Sequence, residues 1–329
     1  MKNGKTKIAD IAEALGISVI SAGRALSGQS GVSEELRERV AGKAREMGYI
    51  KAKSNSDLNI LVLHQKPYLQ DSSNYSLKIQ GIEGAIQKTG AAYDIEFVEK
   101  SKQESLTLPC KLSRKNCYDG LILIGDFIDE YIDLLKTKIK NLVLYTGYSP
   151  SCDYDSVWFN FNNGGYQQCA HLIQKGHRII GFLGHSDEFK NHEKIHGVRA
   201  ALEQHGLPVI HELFIYAEDN FEEKAMKLIE RKPRPTAIIC QWDYTAIQLI
   251  KLLYEKGIRV PEDLSVIGSG NTEMSTLSIP ALTTLDLNIG YSCDRAVSLL
   301  IHRINNPEKP NENITINSKL VERDSVKAL

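Results

Sequence analysis

From residue 60 onward the chain alternates between two apolar patterns. Short, mostly aliphatic runs ("ILVLH", "YDIEFV", "DGLILIG", "NLVLYTG", "RIIGFLG", "TAIIC", "LSVIG") have the length and branching of buried strands. Between them lie amphipathic stretches often closed by Gly, such as "IEGAIQKTG", "AHLIQKG", "VRAALEQHG" and "IQLIKLLYEKG". Repeated strand–helix units predict parallel sheets with helices on both faces. About 270 residues of this pattern exceed one doubly wound sheet, so two lobes are expected.

The first fifty residues carry only the helical period. Ile8, Ile11, Ala12 and Leu15 recur at three- and four-residue steps behind Thr6, a candidate N-cap, and Gly16 ends the run. Ser18 opens a second helix to about Leu26, with Gly28 just past its end. Ser33, followed by Glu34 and Glu35, opens a third, with Leu36, Val40, Ala44 and Met47 on its buried side. A helix, a tight Gly turn and a second short helix form a helix-turn-helix, whose second helix can lie in the major groove. A three-helix bundle without that role has the same periodicity.

Charge separates the two regions. The net charge is −1, but residues 1–53 hold ten Lys/Arg against six Asp/Glu, leaving the remainder acidic. A basic head on an acidic body points to a polyanion partner for the head. Apolar content of 42% and charged content of 25% are those of an ordinary globular protein. No run approaches 18 uncharged apolar residues, and "MKNGKTKIADIAEALG" lacks the apolar block of a signal peptide, so the chain is expected in the cytoplasm with no membrane partner. Six scattered cysteines without a C-x-x-C pair are expected to be reduced and mostly buried. His192-Glu193-Lys194-Ile195-His196 matches H-E-x-x-H, the zinc pattern of many metallopeptidases, and Glu212, Glu218, Glu222 or Glu223 could supply a third ligand. No G-x-S-x-G or P-loop is present.

"TKIADIAEALGISVISAGRALSG", "VSEELRERV" and "MGYI" resemble the DNA-binding head of the lactose/galactose repressor (LacI/GalR) family of bacterial transcription regulators. The resemblance implies that Val19, Ile20 and Arg24 read bases. Arg can bond guanine bidentately, and aliphatic side chains sense thymine methyls. Ser18 and Ser21 suit phosphate oxygens, and Thr6 is placed with them at the DNA. Ser21-Ala22-Gly23-Arg24 departs from the family's usual Thr-Val-Ser-Arg; Gly23 softens the helix by up to about 1 kcal/mol. The family's Pro-Asn hinge is absent, and Leu58 stands either as a minor-groove wedge or as the first residue of a strand.

The likeness continues through "YDGLILIG", "AHLIQKGHRIIGFLG", "KIHGVRAALEQHG", "RPTAIICQWDYTAI", "GIRVPEDLSVIGSGN", "IPALTTLDLNIG" and "LVERDSV". These resemble the family's effector-binding core, which is similar to periplasmic sugar-binding proteins. The implied architecture is an α/β core of two doubly wound parallel-sheet lobes, preceded by a small all-α helix-turn-helix domain. Headpiece 1–50 and linker 51–59 would precede core 60–329, with lobe one at 60–158 and 288–315 and lobe two at 159–285 and 316–329. Crossovers fall near 158–161, 285–290 and 313–319. The likeness places Asn160, Lys194, Trp242 and Asn271 at the cleft, with Tyr68, Gln70, Asp126 and Tyr216 as further contacts. Gly270 replaces the usual sugar-contacting Asp, so an ordinary neutral sugar is not assumed. The same block accounts for "HEKIHG", and neither metal nor cofactor is expected. The expected protein is no enzyme. It is a homodimeric repressor that binds a near-palindromic double-stranded operator and responds to a small carbohydrate effector. A solute-binding protein sharing this core would need export, and a DNA-binding pattern stands where its leader should be.

Overall fold

The computed structural model describes residues 6–27, 29–47, 55–66, 72–114, 117–147, 153–184, 189–217 and 219–329. Contacts separate two compact units, Met1–Ser54 and Asn55–Leu329.

The first unit contains α1 (Ile8–Leu15), α2 (Val19–Ser27) and α3 (Glu34–Glu46). Ile11, Ala25, Val40 and Ala44 form its core, flanked by Leu15, Leu26, Leu36 and Met47. Gly16 takes φ 65°, a left-handed position that turns the chain tightly between α1 and α2. Ser18 Oγ accepts the Ser21 N–H at 3.0 Å, and Ser33 Oγ accepts the Leu36 N–H at 3.3 Å, so both serines cap their helices. Thr6 is corrected. The N-cap of α1 is Lys7, whose N–H donates to Asp10 Oδ2 at 2.6 Å. The Thr6 hydroxyl instead donates to the Met47 carbonyl at 2.6 Å, tying the start of α1 to the end of α3 rather than facing a phosphate.

The second unit holds two parallel sheets. Strands β1 (Asn59–Gln65), β2 (Ala92–Val98), β3 (Gly120–Ile124), β4 (Leu142–Tyr145), β5 (Asp155–Phe159) and β11 (Asn313–Ile316) lie in the order β11-β5-β4-β3-β1-β2. All are parallel. Along β1, Ile60 and Val62 pack with α4 (Ser72–Thr89) and α13 (Ile289–Asn305), whereas Leu61 and Leu63 pack with α7 (Asp129–Lys136). Both faces are covered, which is why the strand reads as an unbroken apolar run. Leu58 is likewise a core residue, 1% exposed among Ile60, Ile82 and Ile86, so it presents no apolar edge for a groove.

The other sheet orders β7 (Phe214–Tyr216), β6 (Ile180–Gly184), β8 (Ala237–Cys240) and β9 (Ser265–Ile267). Helices α8 (Phe161–Gln174) and α9 (Phe189–Gln204) cover one face; α10 (Phe221–Ile229) and α11 (Asp243–Glu255) cover the other. The chain passes between the lobes three times: from β5 to α8, from β10 (Thr284–Asp286) to α13, and from β11 to β12 (Lys319–Val321). β10 and β12 pair antiparallel. An asparagine on each passage ties the three together. Asn160 Nδ2 donates to Asn317 Oδ1 at 2.9 Å, and Asn288 Nδ2 donates to the Asn317 carbonyl at 2.9 Å. Cys169, Cys240 and Cys293 are buried, whereas Cys110 and Cys117 are exposed.

Helices α8 and α9 approach closely because glycines stand at the contact. A methyl at Gly197 would run into the Asn162 carbonyl, and one at Gly165 into the Lys194 carbonyl. Overpacking of this kind costs about 1–3 kcal/mol. Gly197→Ala is expected to lower the urea midpoint accordingly, and an unchanged midpoint would show that the helices have slack.

Candidate functional site

In the first unit, α2 divides into two sides. Ala22 and Ala25 are buried against the other helices. Val19 and Ile20 are 53% and 69% exposed, and Arg24, one turn beyond Ile20, is exposed too. Large aliphatic side chains gain nothing by facing water, so two of them beside an arginine mark a surface built to be covered. Ser18 and Ser21, their hydroxyls 2.8 Å apart, sit at the helix start, where N–H groups favour anions. Arg37 donates to the Gln29 carbonyl at 2.7 Å and so fixes the segment following α2 onto α3.

In the second unit, contacts between the lobes gather near the carboxyl ends of the two sheets, the usual binding position of open parallel sheets. Asp126 follows β3; its N–H donates to Gln65 Oε1 at 2.8 Å, and its carboxylate pairs with Lys190 Nζ of α9 at 2.6 Å. This ion pair joins the two lobes. Trp158 of β5 stacks on Phe189 of α9 at 5.8 Å and 24°, a second inter-lobe contact. Trp242, the N-cap of α11, meets Phe161 edge-on at 5.9 Å and packs against the lobe-one core. Tyr216 ends β7, 6.3 Å from the His192 ring. Of the residues that sequence placed at the cleft, Asp126, Trp242 and Tyr216 are half-buried or exposed at the sheet ends. Tyr68 and Gln70 lie outside the described residues.

Three placements differ from the sequence reading. Lys194 is 2% exposed, its ammonium turned inward to the Gln241 carbonyl at 2.6 Å and Ser269 Oγ at 2.8 Å, 5.2 Å above the Trp242 ring. It supports Trp242 from beneath rather than reaching a ligand. Asn160 caps α8, accepting the Asn163 N–H at 3.0 Å, so its amide belongs to the inter-lobe passage. Asn271 accepts from Arg323 at 2.6 Å and donates to Asp286 at 3.2 Å, which leaves its amide committed to the protein. The buried Asp243 carboxylate accepts from Thr272 N at 2.8 Å, from Thr272 Oγ1 at 2.9 Å and from the Thr284 hydroxyl; burial raises its pKa despite these bonds. Residues that sequence reasoning missed are Trp158, Phe161, Phe189 and Lys190. Phe189-Lys190 stands one residue ahead of the histidine pattern but carries no periodic signal.

That pattern lies on α9 with His192 and His196 exposed and His196 Nδ1 3.6 Å from Glu193 Oε1. No group of three His, Cys, Asp or Glu able to hold a metal occurs among the described residues.

Burial lowers the Lys194 pKa to about 7, with Asp243 opposing the shift. Between that value and the ordinary lysine range the unfolded chain binds more protons than the folded one, so this group makes stability rise with pH. The stability of the wild type relative to Lys194→Met is expected to grow by about 1 kcal/mol per unit from pH 7 to 9. A pH-independent difference in urea unfolding would contradict a lowered pKa for this group in the folded state.

Residues 7–51 match the family model "Bacterial regulatory proteins, lacI family", and residues 169–326 match "Periplasmic binding protein-like domain". The HTH-type transcriptional repressor PurR of Vibrio atlanticus (strain LGP32) is 27% identical over 337 residues, covering 98% of this chain and 99% of that protein. The HTH-type transcriptional regulator AscG of Escherichia coli (strain K12) is 25% identical over 343 residues, covering 98% of each. The chain belongs to the LacI family of bacterial regulators. As such it is a DNA-binding transcriptional regulator and not an enzyme. The structure of a CelR–cellobiose complex matches this LacI-family chain with TM-score 0.71 and 21% identity, covering 98% of it and 100% of that chain. The lac repressor dimer bound to operator and the anti-inducer ONPF matches with TM-score 0.68 and 22% identity, covering 99% and 100%. Both show the shared fold. Among the described residues, no helix of this regulator is long and apolar enough to cross a membrane.

Proposed function

We propose that this regulator represses transcription in the cytoplasm as a homodimer on a near-palindromic double-stranded operator, controlled by a sugar or sugar derivative held between the core lobes. The exposed Val19–Ile20–Arg24 face of α2, capped by Ser18, carries the DNA-reading part. Arg24 would take a guanine edge, Val19 and Ile20 thymine methyls, and Ser18 and Ser21 phosphate oxygens.

Dimerisation accords with an apolar surface on lobe two. Leu277 and Ile279 are 71% and 91% exposed, and Met274 is exposed on the same short helix, α12 (Glu273–Leu277), which packs beside α11. A second copy related by a two-fold axis would cover it and set two α2 helices on two half-sites. The CelR–cellobiose complex supports a carbohydrate as the small molecule. Here Asp126, Trp242 and Tyr216, with Trp158 and Phe189, would contact it, aromatic faces packing on the C–H side of a ring. A ligand that prefers one lobe arrangement shifts operator affinity by its differential affinity for the two.

The test is operator titration with a selected genomic fragment across a panel of sugars, sugar acids and sugar phosphates. At least one compound is expected to change affinity tenfold or more, with two protomers per duplex. Binding by a monomer, indifferent to every compound, would defeat the reading.

A further inference from the structure

We infer that Asn317 is the positioning residue that makes the three passages between the lobes turn as one hinge. The effect of that hinge on DNA rests on the reading that lobe arrangement sets operator affinity.

The third passage is only two residues long, Asn317 and Ser318, between the end of β11 at Ile316 and the start of β12 at Lys319. On its lobe-one side it runs beside the first passage. β11 pairs with β5, Ile316 opposite Phe159, and the Asn160 N–H continues that ladder by donating to the Ile316 carbonyl at 2.8 Å. On its lobe-two side it runs beside the second passage, because β12 pairs with β10, Lys319 opposite Asp286. The chain changes ladder partner at Asn317–Ser318, so the ladders tie the passages only in pairs.

Asn317 ties all three. Its Oδ1 accepts from Asn160 Nδ2 of the first passage at 2.9 Å, and its backbone carbonyl accepts from Asn288 Nδ2 of the second at 2.9 Å. Both donors are themselves fixed. Asn160 Oδ1 accepts the Asn163 N–H at 3.0 Å at the start of α8, and the Asn288 N–H donates to Asp286 Oδ1 at 2.7 Å. Gln167 Nε2 of α8 donates to the neighbouring Ser318 carbonyl at 3.1 Å. Rotation at one passage alone breaks its bonds to Asn317, whereas rotation of all three together keeps them, and the network favours the concerted motion.

The same network reaches the carboxyl end of the lobe-two sheet. Asp286 Oδ2 accepts from Asn271 Nδ2 at 3.2 Å. The Gly268 and Gly270 N–H groups, just past β9, donate to the Thr283 and Leu285 carbonyls at 2.9 and 2.8 Å. A ligand against residues 268–271 therefore bears on β10 and Asp286, and through Asn288 on Asn317. A continuous set of bonds becomes a coupling only when a substitution at one end is felt at the other.

The test is hydrogen exchange of the full chain, read on peptides covering each passage, in the wild type, Asn317→Ala, Asn317→Asp and Asn288→Gly. Cooperative thermal melts check that each variant folds. Asn317→Asp keeps the acceptor oxygen, and Asn288→Gly suits the left-handed backbone at φ 54° while removing the amide. Asn317→Ala is expected to speed exchange about two- to tenfold, the contribution of one neutral hydrogen bond. The increase should appear at the Asn288 passage as well as at the Asn160 passage, although only Asn160 loses a direct bond. Asn288→Gly should likewise be felt at Asn160, and Asn317→Asp should exchange as the wild type does. Affinity for a library-selected operator should change by a similar factor in Asn317→Ala, with random duplex unaffected and Asn317→Asp at the wild-type value. Faster exchange at the Asn160 passage alone, or at neither passage, would overturn the inference, as would an Asn317→Asp that behaves as Asn317→Ala does. Concerted exchange with unchanged operator affinity would uphold the single hinge and overturn the reading that lobe arrangement controls DNA binding.

Discussion

Asp155→Ala is expected to destabilise the core by about 3–5 kcal/mol in urea unfolding at neutral pH, because it strips the partner from a buried cationic cluster. Asp155, at the start of β5, is fully buried. Its two oxygens accept from Arg303 Nε at 2.8 Å and Nη2 at 2.9 Å, a bidentate fork; Oδ1 also accepts from Lys309 Nζ at 2.8 Å and the Glu312 N–H at 2.8 Å. Arg303 closes the last turn of α13 and donates further to the Pro307, Lys309 and Pro310 carbonyls. The cluster therefore shapes the segment that brings the chain from α13 into β11. Burial alone would raise the Asp155 carboxyl, but Arg303, Lys309 and the Glu312 N–H more than offset it, leaving its pKa below the ordinary value of 3.8. With the folded pKa depressed, the contribution is fully present above the unfolded value and is lost as pH falls through the folded one. The wild-type advantage over Asp155→Asn should accordingly shrink below about pH 4. A loss under 1 kcal/mol for Asp155→Ala, or an advantage that persists undiminished at pH 2, would show the cluster to be ornamental.

Arg24→Ala is expected to weaken specific operator binding by about 1–3 kcal/mol while affinity for random duplex at the same salt changes little. Arg24 is exposed on the outer side of α2, beyond Ile20 and opposite the buried Ala22 and Ala25. Truncation therefore removes no core contact, and the headpiece should melt as before. A base-reading guanidinium loses discrimination at one position of the site, whereas a phosphate-binding one weakens all sequences alike and flattens the salt dependence by about one unit. Equal losses on operator and random DNA would reassign Arg24 to the backbone. Ile20→Ala should produce a smaller loss confined to sites with a thymine beneath it, since a methyl contact carries no hydrogen bond.

What the sequence made legible was chiefly local. Ser18 and Ser33 cap their helices by bonding N–H groups three residues on, a chemistry visible in a short window. Ile60 to Leu63 read as a buried strand because both faces of β1 are covered. Thr6 was misplaced because its hydroxyl is claimed by Met47, 41 residues away, which no local pattern announces. The same holds for the cleft. Asp126 and Lys190 are separated by 64 residues and meet only because two sheets face each other. Sequence placed Lys194 in its block yet could not tell whether the ammonium points out or in; tertiary acceptors at Gln241 and Ser269 decide that. The histidine pattern shows the converse, since two imidazoles one turn apart are a local event and a third ligand is a tertiary one.

Base reading by α2 is what the proposed function requires. The most direct measurement is selection of bound duplexes from a random library by the full-length protein at fixed salt, repeated with Arg24→Ala. The wild type is expected to enrich two inverted half-sites, with preference lost at one symmetric position in the variant. A selected pool that stays random, with and without sugars and sugar anions, would contradict it.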